Sequence, residues 1–247
     1  MKLETAFLSK PGGRRTNQDA YAFESDESGG CWVVADGLGG HAGGEVASRL
    51  AADVTMLNFR AKKAFSPAGL SECFAATQQA IHVKAEEDPM LSGMRTTLVA
   101  LVCSGDRVLW GHVGDSRLYW FRRGKILHQT RDHSVPQMLV DAGKIKPEAI
   151  RGHEDQNRLT RALGQEGEIH PTLLETAMEW QAGDAALLCS DGIWTWVLEA
   201  EMEADLREAR SPDEWLASLE RRVLDRAKGP YDNYTAVAVM FSRSKQE

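Results

Sequence analysis

Residues 95–129 read RTTLVALVCSGDRVLWGHVGDSRLYWFRRGKILHQ, and this stretch decides the fold class. Its β-branched and aromatic runs are separated by the short polar gaps SGD, GD and RRG. Gaps of two or three residues with this composition are typical of antiparallel hairpins. The stretch therefore predicts a meander of antiparallel strands in the middle of the chain.

Strands and helices are predicted on both sides of this meander from hydrophobic periodicity. The further strands are expected at residues 3–8, 20–24, 31–35, 172–177, 184–190 and 234–241. The first helix is expected after the glycines of residues 37–44, with Val46, Leu50, Val54 and Leu57 on one face. A second helix is expected over 67–86, with Leu70, Phe74, Thr77 and Ile81 on one face. Two more helices are expected, one over 134–142 and one from about Pro212. Antiparallel strands with helices in pairs favour an α+β fold over a doubly wound parallel sheet. We expect two packed, mainly antiparallel β-sheets that form a sandwich flanked by pairs of α-helices, in α-β-β-α layers.

The chain is expected to form one domain over residues 1–247, because no internal repeat, low-complexity tract or linker interrupts it. Residues 143–170 are polar and rich in turn residues, and they are too many for a simple connection. We interpret this segment as a functional flap.

Composition disfavours several functional classes. The net charge is −7, and no dense basic run suggests nucleic-acid binding. No stretch is long and apolar enough to span a membrane, and Lys2 and Glu4 interrupt the start where a signal peptide would be apolar. The four cysteines lie far apart without a C-x-x-C pair, so we expect buried free thiols. These features favour a cytoplasmic location.

Four aspartates fall at the ends or beginnings of predicted strands, namely Asp36, Asp115, Asp191 and Asp232. Taken singly, each is explained by ordinary turn chemistry, because Asp-Gly, Gly-Asp and Asp-Asn are common turn dipeptides. Strand ends at one edge of a sheet converge in space, however, and converging carboxylates repel one another unless a cation lies between them. Together they predict a metal site.

Hard divalent cations such as Mg²⁺ or Mn²⁺ suit this site, since carboxylates, backbone carbonyls and water are their preferred ligands. Gly37 can offer its carbonyl to a metal without a side chain in the way. Gly39, Gly40, Gly43 and Gly44 would let the loop turn tightly past the site, although they could equally do no more than shape a loop before a helix.

Six ordered motifs resemble those of the metal-dependent protein serine/threonine phosphatases of type 2C, in particular compact bacterial members. They are Arg14-x-x-Asn17-Gln18-Asp19, Asp36-Gly37-Leu38-Gly39-Gly40-His41-x-x-Gly44-Glu45, Gly93 with Thr96-Thr97, Gly114-Asp115-Ser116-Arg117, Ser190-Asp191-Gly192 and Asp232-Asn233. The resemblance covers residues 5–241. Gln18 departs from the pattern, since many members carry Glu there.

The resemblance implies a set of metal ligands. Asp36 would bridge two Mn²⁺ or Mg²⁺ ions, with the Gly37 carbonyl on one of them. Asp191 and Asp232 would complete the other ion. Asp115, together with Asp191, matches the residues that hold a weaker third metal in bacterial relatives, and Asp19 would act near the metals through water or hydrogen bonds.

Two metals that share a water can lower its pKa and direct it at phosphorus. Arg14 would clamp the substrate phosphate, because a guanidinium offers two parallel donors to two phosphate oxygens. We interpret Arg15 as an ordinary exposed loop arginine. His41, with an ordinary pKa of about 6.5, is the expected general acid for the departing alkoxide. The chain has neither a C-x₅-R loop nor a G-x-x-x-x-G-K-[ST] loop, which disfavours tyrosine phosphatases and P-loop NTPases.

The expected substrates are phosphoserine and phosphothreonine proteins, targets of a bacterial Ser/Thr kinase, and a monomer without nucleic-acid or membrane partners is expected. A catalytically silent phospho-binding module of the same fold is the alternative. The retained Asp36, Asp191 and Asp232 weigh against it, since binding alone would not need every metal position. A metal-dependent nuclease or phosphodiesterase would fit the carboxylates alone, but the acidic composition disfavours it.

Overall fold

The computed structural model describes residues 2–38, 42–62 and 65–242. The strands are β1 (Lys2–Lys10), β2 (Asp19–Asp26), β3 (Gly29–Leu38), β4 (Arg95–Thr96), β5 (Leu98–Ser104), β6 (Arg107–Val113), β7 (Arg117–Arg122), β8 (Lys125–Gln129), β9 (Thr172–Leu173), β10 (Met178–Glu179), β11 (Ala185–Cys189) and β12 (Tyr234–Ser242). The α-helices are α1 (Ala42–Lys62), α2 (Pro67–Glu87), α3 (Val135–Asp141), α4 (Asp191–Trp194), α5 (Glu199–Glu208) and α6 (Pro212–Arg226). Single 3₁₀ turns occur at Pro89–Leu91 and Pro147–Ile150.

The strands form two antiparallel sheets. One has the order β1-β12-β11-β7-β8, and the other has the order β10-β6-β5-β3-β2, with β4 paired to β3 and β9 paired to β6. In the first sheet β1 and β12 pair over their whole length, from Lys2 opposite Ser242 to Lys10 opposite Tyr234. The predicted α+β sandwich is confirmed.

The sandwich is held by three apolar layers, which strand β3 illustrates. Trp32 and Val34 point between the two sheets, whereas Cys31, Val33 and Ala35 point toward the helices, and all five are fully buried. A strand buried on both faces reads as a continuous apolar run because successive side chains point to opposite sides of the sheet. The CWVVA run was predicted as a strand on that pattern.

Helices α1 and α2 cover the sheet that contains β3, and α5 and α6 cover the other sheet. The predicted face of α2 is buried as expected. In α1 the predicted face is confirmed in part: Val46 and Leu50 pack against the core. Leu57, however, is 62% exposed, and the fully buried positions include Ala47, Ala51 and Met56. Small side chains bring α1 close to the sheet, and hydrophobicity alone does not mark them as the inner face.

The predicted meander is wrong in one respect. Residues 95–129 form two hairpins that lie in different sheets, β5–β6 in one and β7–β8 in the other. The chain crosses between the sheets at Gly114–Ser116, where Gly114 has a positive φ of 96°. A Cβ there would also meet the Thr97 side chain at 2.6 Å, so glycine is required for the crossing.

One predicted strand is shorter than expected, and one helix was not predicted. The strand expected over 172–177 is reduced to the two residues of β9, and β10 follows separately. Helix α5 was not predicted, because it is strongly polar and its buried positions are only Met202 and Asp205. The four cysteines are free and buried, as predicted. Among the described residues, no helix has the length and apolar character needed to cross a bilayer.

Candidate active site

The predicted aspartates meet in one cleft of about 420 Å³ at one end of the sandwich. The lining residues are Arg14, Arg15, Thr16, Gln18, Asp36, Gly37, Leu38, Asp115, Asn157, Leu159, Asp191, Asp232 and Asn233. The four strand-end carboxylates are all present among them. The convergence that the sequence predicted is therefore confirmed.

Asp36 is fixed through its backbone near the end of β3. Its N–H donates to Thr97 Oγ1 at 2.9 Å, and its carbonyl accepts from the Thr97 N–H and from Thr96 Oγ1, both at 2.9 Å. The Thr97 hydroxyl also lies 2.6 Å from the Ser116 hydroxyl. These threonines therefore connect the Asp36 strand end to the crossing that carries Asp115.

Gly37 lies where three backbone segments touch. Its N–H donates to the Gln18 carbonyl at 3.1 Å. A Cβ at Gly37 would lie 2.1 Å from the Gly44 carbonyl oxygen and 2.6 Å from the Gln18 carbonyl oxygen. Any side chain is excluded here by protein backbone. Gly43 and Gly44 belong to α1 and not to the predicted loop, whereas Gly39 and Gly40 lie outside the described residues.

Asp191 follows β11 directly and begins the short helix α4. Ser190, immediately before it, donates from its hydroxyl to Asp19 Oδ2 at 2.7 Å and accepts from the Thr235 N–H at 3.0 Å. Gly192 approaches the Asn233 carbonyl so closely that a Cβ would lie 2.0 Å from the oxygen. The Asp191 turn is thus packed against the start of β12.

Asp232 and Asn233 join the last strand to the N-terminal loop. Asn233 accepts from the Gln18 N–H at 2.9 Å and donates to the carbonyls of Pro11 and Thr16 at 2.8 and 2.9 Å. This amide therefore positions the loop that carries Arg14. Arg14 lies in the cleft, where its Nη2 donates to Asp232 Oδ2 at 3.1 Å.

Burial and mutual repulsion raise the pKa values of the carboxyl groups. Burial is the main cause for Asp36 and Asp191, whose pKa values lie well above the ordinary range, and the neighbouring aspartates add to it. Burial likewise raises the pKa of Asp19 to about 6. For Asp115 the pKa rises to about 7, through burial and repulsion by Asp132, and Arg117 opposes the rise. Such a group of buried acids is stabilised by bound cations.

The residues present fit divalent ions. Two buried carboxylate oxygens, Asp19 Oδ1 and Asp191 Oδ1, have no hydrogen-bond partner among the described residues. Within those residues no three acidic, histidine or cysteine side chains are grouped closely enough to hold an ion by themselves. Mg²⁺ and Mn²⁺ accept such a site, because they bind through one or two carboxylates and complete their shells with carbonyls and water. Asp19 is the direct partner of Asp36 in the register of β2 and β3, and it is not among the residues that line the cleft.

Asp115 is supported from behind by a buried ion pair that the sequence did not predict. Arg117 donates to both carboxylate oxygens of Asp132, at 2.8 and 2.7 Å, and its guanidinium lies 3.6 Å from the centre of the Trp194 ring. The Trp194 indole N–H donates to the Asp115 carbonyl at 2.9 Å. The Arg117–Asp132 pair thereby fixes both the Asp115 turn and α4.

Arg15 and two residues of the predicted flap line the cleft, and none of the three was predicted there. Arg15, interpreted as an ordinary loop arginine, lines the cleft beside Arg14. Asn157 and Leu159 bring the predicted flap to the cleft wall. Leu159 is held there by a bridge to Ser134, and the neighbouring Leu163 pairs with Thr96. His41 lies outside the described residues.

Comparison with known proteins identifies what this arrangement is similar to. The family described as "Protein phosphatase 2C" matches residues 13–228. The serine/threonine protein phosphatase PstP of Mycobacterium tuberculosis is 42% identical over 162 residues, which are 65% of this chain and 31% of that protein. The chain thus matches about a third of the length of PstP. Protein phosphatase PhpP of Streptococcus pneumoniae is 30% identical over 254 residues, which are 99% of this chain and 100% of PhpP. The solved catalytic domain of PstP in complex with two manganese ions has a TM-score of 0.82 and 34% identity, covering 98% of this chain and 99% of that one.

Proposed function

The chain belongs to the protein phosphatase 2C family, and on that premise we propose that it hydrolyses phosphoserine and phosphothreonine in proteins. The observation that carries the proposal is the meeting of Asp36, Asp115, Asp191 and Asp232 in one cleft with Arg14. A cleft so rich in carboxylates repels a phosphate unless cations neutralise it, and it offers the ligands that such cations prefer.

We propose that Asp36 and the Gly37 carbonyl, with Asp191 and Asp232, hold two Mn²⁺ or Mg²⁺ ions. Asp115 with Asp191 would hold a weaker third ion. When bound, such ions lower the pKa of a coordinated water and polarise the phosphoryl oxygens. The manganese ions in the PstP structure support the assignment by similarity.

Arg14 would bind the substrate phosphate. Its partner Asp232 is one of the proposed metal ligands, and the side chains of the pair are 52% and 38% exposed. Exposed pairs contribute only about 0–1 kcal/mol, so Arg14 can leave Asp232 at little cost. A planar guanidinium released in this way offers two donors to two phosphate oxygens.

His41 would protonate the departing serine or threonine oxygen, a role that rests on the family motif and on the ordinary pKa of imidazole. The flap, residues 143–170, would help to choose substrates, because Asn157 and Leu159 stand at the cleft wall. The named relatives are phosphatases of bacteria, which supports a bacterial phosphoprotein as substrate. We further propose that a bacterial Ser/Thr kinase supplies it and that the enzyme acts as a monomer.

The experiment that tests the function is hydrolysis of a phosphoserine peptide and of bis(p-nitrophenyl) phosphate, with EDTA and with added Mn²⁺ or Mg²⁺. We expect metal-dependent release of phosphate from the peptide and negligible cleavage of the diester. Asp36→Asn should abolish turnover with an unchanged circular dichroism spectrum, whereas Asp53→Asn, an exposed position on α1, should remain active.

Peptide hydrolysis that persists in EDTA, or full activity of folded Asp36→Asn, would contradict the proposal. Metal binding without any turnover would favour the silent phospho-binding module. Preferred cleavage of the diester would favour a phosphodiesterase.

A further inference from the structure

A second polar cleft, of about 400 Å³, lies at the open side of the sandwich, where the edge strand β8 of one sheet faces β6 and β9 of the other. Its lining includes Arg131, Arg161, His112, His133 and Thr172, with Trp110 as an apolar wall. None of these residues lines the metal cleft. None of these residues therefore takes part in the proposed phosphatase reaction.

The hydrogen bonds of His133 determine where its proton lies. The Gly114 N–H donates to His133 Nδ1 at 3.1 Å, so the neutral ring carries its proton on Nε2. That Nε2–H points to the Thr172 hydroxyl oxygen at 2.9 Å. Thr172 then accepts from the ring and has its own hydroxyl proton left to donate.

Arg161 adds a cation to the same place. Its Nη1 donates to the His170 carbonyl at 3.1 Å and lies 3.4 Å from His133 Nε2. Since His133 Nε2 already carries a proton, this second contact brings two donors together without an acceptor between them. An oxyanion placed there would accept from both Arg161 and Thr172.

The His112 ring has an acceptor nitrogen that receives no hydrogen bond from the described residues. Its ring stacks on His133, with centroids 4.6 Å apart, and its Nε2 donates to the Arg131 carbonyl at 2.8 Å. Its Nδ1 is therefore an acceptor, and it is buried without a hydrogen-bond partner among the described residues. Because His112 Nδ1 is closed to solvent, an ion in the cleft would be bound through the donors of Arg161 and Thr172, and acceptor oxygens such as those of phosphate match them.

The charges around the cleft leave Arg161 as the uncompensated group. Asp132 is neutralised by its two hydrogen bonds from Arg117. Asp141 is paired with Arg131. Among the described residues, no carboxylate lies within ion-pairing distance of Arg161, whose side chain remains exposed.

We propose that this cleft is a second oxyanion site, which binds a phosphate group between Arg161 and Thr172. The site touches the catalytic end of the fold through the backbone. The His133 N–H donates to the Gly114 carbonyl at 2.9 Å, and the Thr160 N–H donates to the His133 carbonyl at 2.8 Å. Binding at Arg161 is thus linked to the flap residue Leu159 and to the Asp115 turn.

The test is a titration of the Mg²⁺-loaded full chain with inorganic phosphate, followed by the imidazole ¹H–¹⁵N signals of His112 and His133. We expect a saturable shift of both signals in the unmodified protein. Arg161→Gln should weaken this binding at least about tenfold, because it removes a charge-assisted hydrogen bond. Arg158→Gln is the matched control, since Arg158 lies in the same segment but does not line the cleft.

Arg14→Ala separates the two clefts. If phosphate binds at Arg161, the histidine shift persists in Arg14→Ala. Loss of the shift in Arg14→Ala would overturn the proposal, because it would mean that the signal arises from phosphate in the metal cleft. An unchanged dissociation constant in Arg161→Gln, or the absence of a saturable shift at millimolar phosphate, would also overturn it.

Two additions complete the design. Should Arg161→Gln not fold, Arg161→Lys keeps the charge but not the paired donors, and it should bind phosphate measurably more weakly than the unmodified chain. A parallel titration of Asp36→Asn with O-phosphoserine distinguishes free phosphate from a phosphorylated side chain as the source of the anion, because that variant is expected not to hydrolyse the ligand. Neither measurement depends on turnover in the metal cleft.

Discussion

Substitution of Asp115 by Asn should stabilise the metal-free protein, and more strongly as the pH rises. The folded-state pKa of Asp115 is about 7, against an ordinary value of 3.8. The native carboxyl group therefore holds its proton over a pH range in which the unfolded chain has lost it. Under that condition the free energy of unfolding falls as the pH rises, from about pH 4 until the pH exceeds about 7.

The magnitude follows from the shift. Each pKa unit corresponds to about 1.4 kcal/mol, so the raised pKa of Asp115 lowers the free energy of unfolding by on the order of 1–2 kcal/mol near pH 5 and on the order of 4 kcal/mol near pH 8. Asn has the same shape and no charge. The stability difference between Asp115→Asn and the unmodified chain should therefore grow by on the order of 3 kcal/mol between about pH 5 and about pH 8.

The assay is urea unfolding of both proteins in EDTA at several pH values. Burial lowers the pKa of His112 and of His133 in both proteins, and this makes the free energy of unfolding rise with pH, opposite to the effect of Asp115. The two proteins are therefore compared with each other at each pH. That contribution cancels in the difference. Added Mg²⁺ should reduce the difference, and Asp53→Asn should show none. If the difference in free energy of unfolding stays constant across the pH range, Asp115 does not destabilise the native state through a raised pKa.

Three other substitutions test the cleft. Arg14→Ala should raise KM for a phosphopeptide more than it lowers kcat, and an unchanged KM would contradict the phosphate clamp. His41→Ala should slow hydrolysis of a phosphopeptide more than that of p-nitrophenyl phosphate, whose leaving group needs little protonation; equal losses would exclude the general-acid role. Gly37→Ala places a Cβ 2.1 Å from the Gly44 carbonyl oxygen, so it should destabilise the fold by about 1–3 kcal/mol or more in thermal or urea unfolding. Native-like stability of that variant would mean that the three backbone segments can separate freely.

The sequence predicted the carboxylate cluster because each aspartate follows or precedes a strongly apolar strand. An apolar run of five or more residues identifies a buried strand, and the polar residue at its end must lie at the sheet edge. The meeting of Asp36, Asp191 and Asp232 in one cleft is predictable for this reason.

The crossing between sheets was not predictable from the same pattern. A hairpin signal identifies two neighbouring strands but does not tell whether the next hairpin continues in the same sheet. The GD gap before Ser116 resembles an ordinary turn, and its function as a crossing depends on the positive φ of Gly114 and on contact with Thr97. Both depend on residues that are remote along the chain.

The contacts of Asp115 with Trp194 and the nearby Arg117–Asp132 ion pair could not be predicted from the sequence for a similar reason. Nothing near Trp194 in the sequence indicates that its indole N–H reaches the Asp115 carbonyl, 79 positions away. The Arg117–Asp132 pair is likewise a tertiary contact between a strand and the loop after β8. Periodicity finds the elements of a fold, whereas such contacts follow from how the elements are placed.

The pairing of β1 with β12 has a consequence for biosynthesis. Asp232 and the Asn233 amide that holds the Arg14 loop both come just before β12, so neither the proposed metal ligands nor the proposed phosphate clamp can be assembled while residues 234–242 are still inside the ribosome. Pairing of β12 with β1 therefore has to precede assembly of the proposed site.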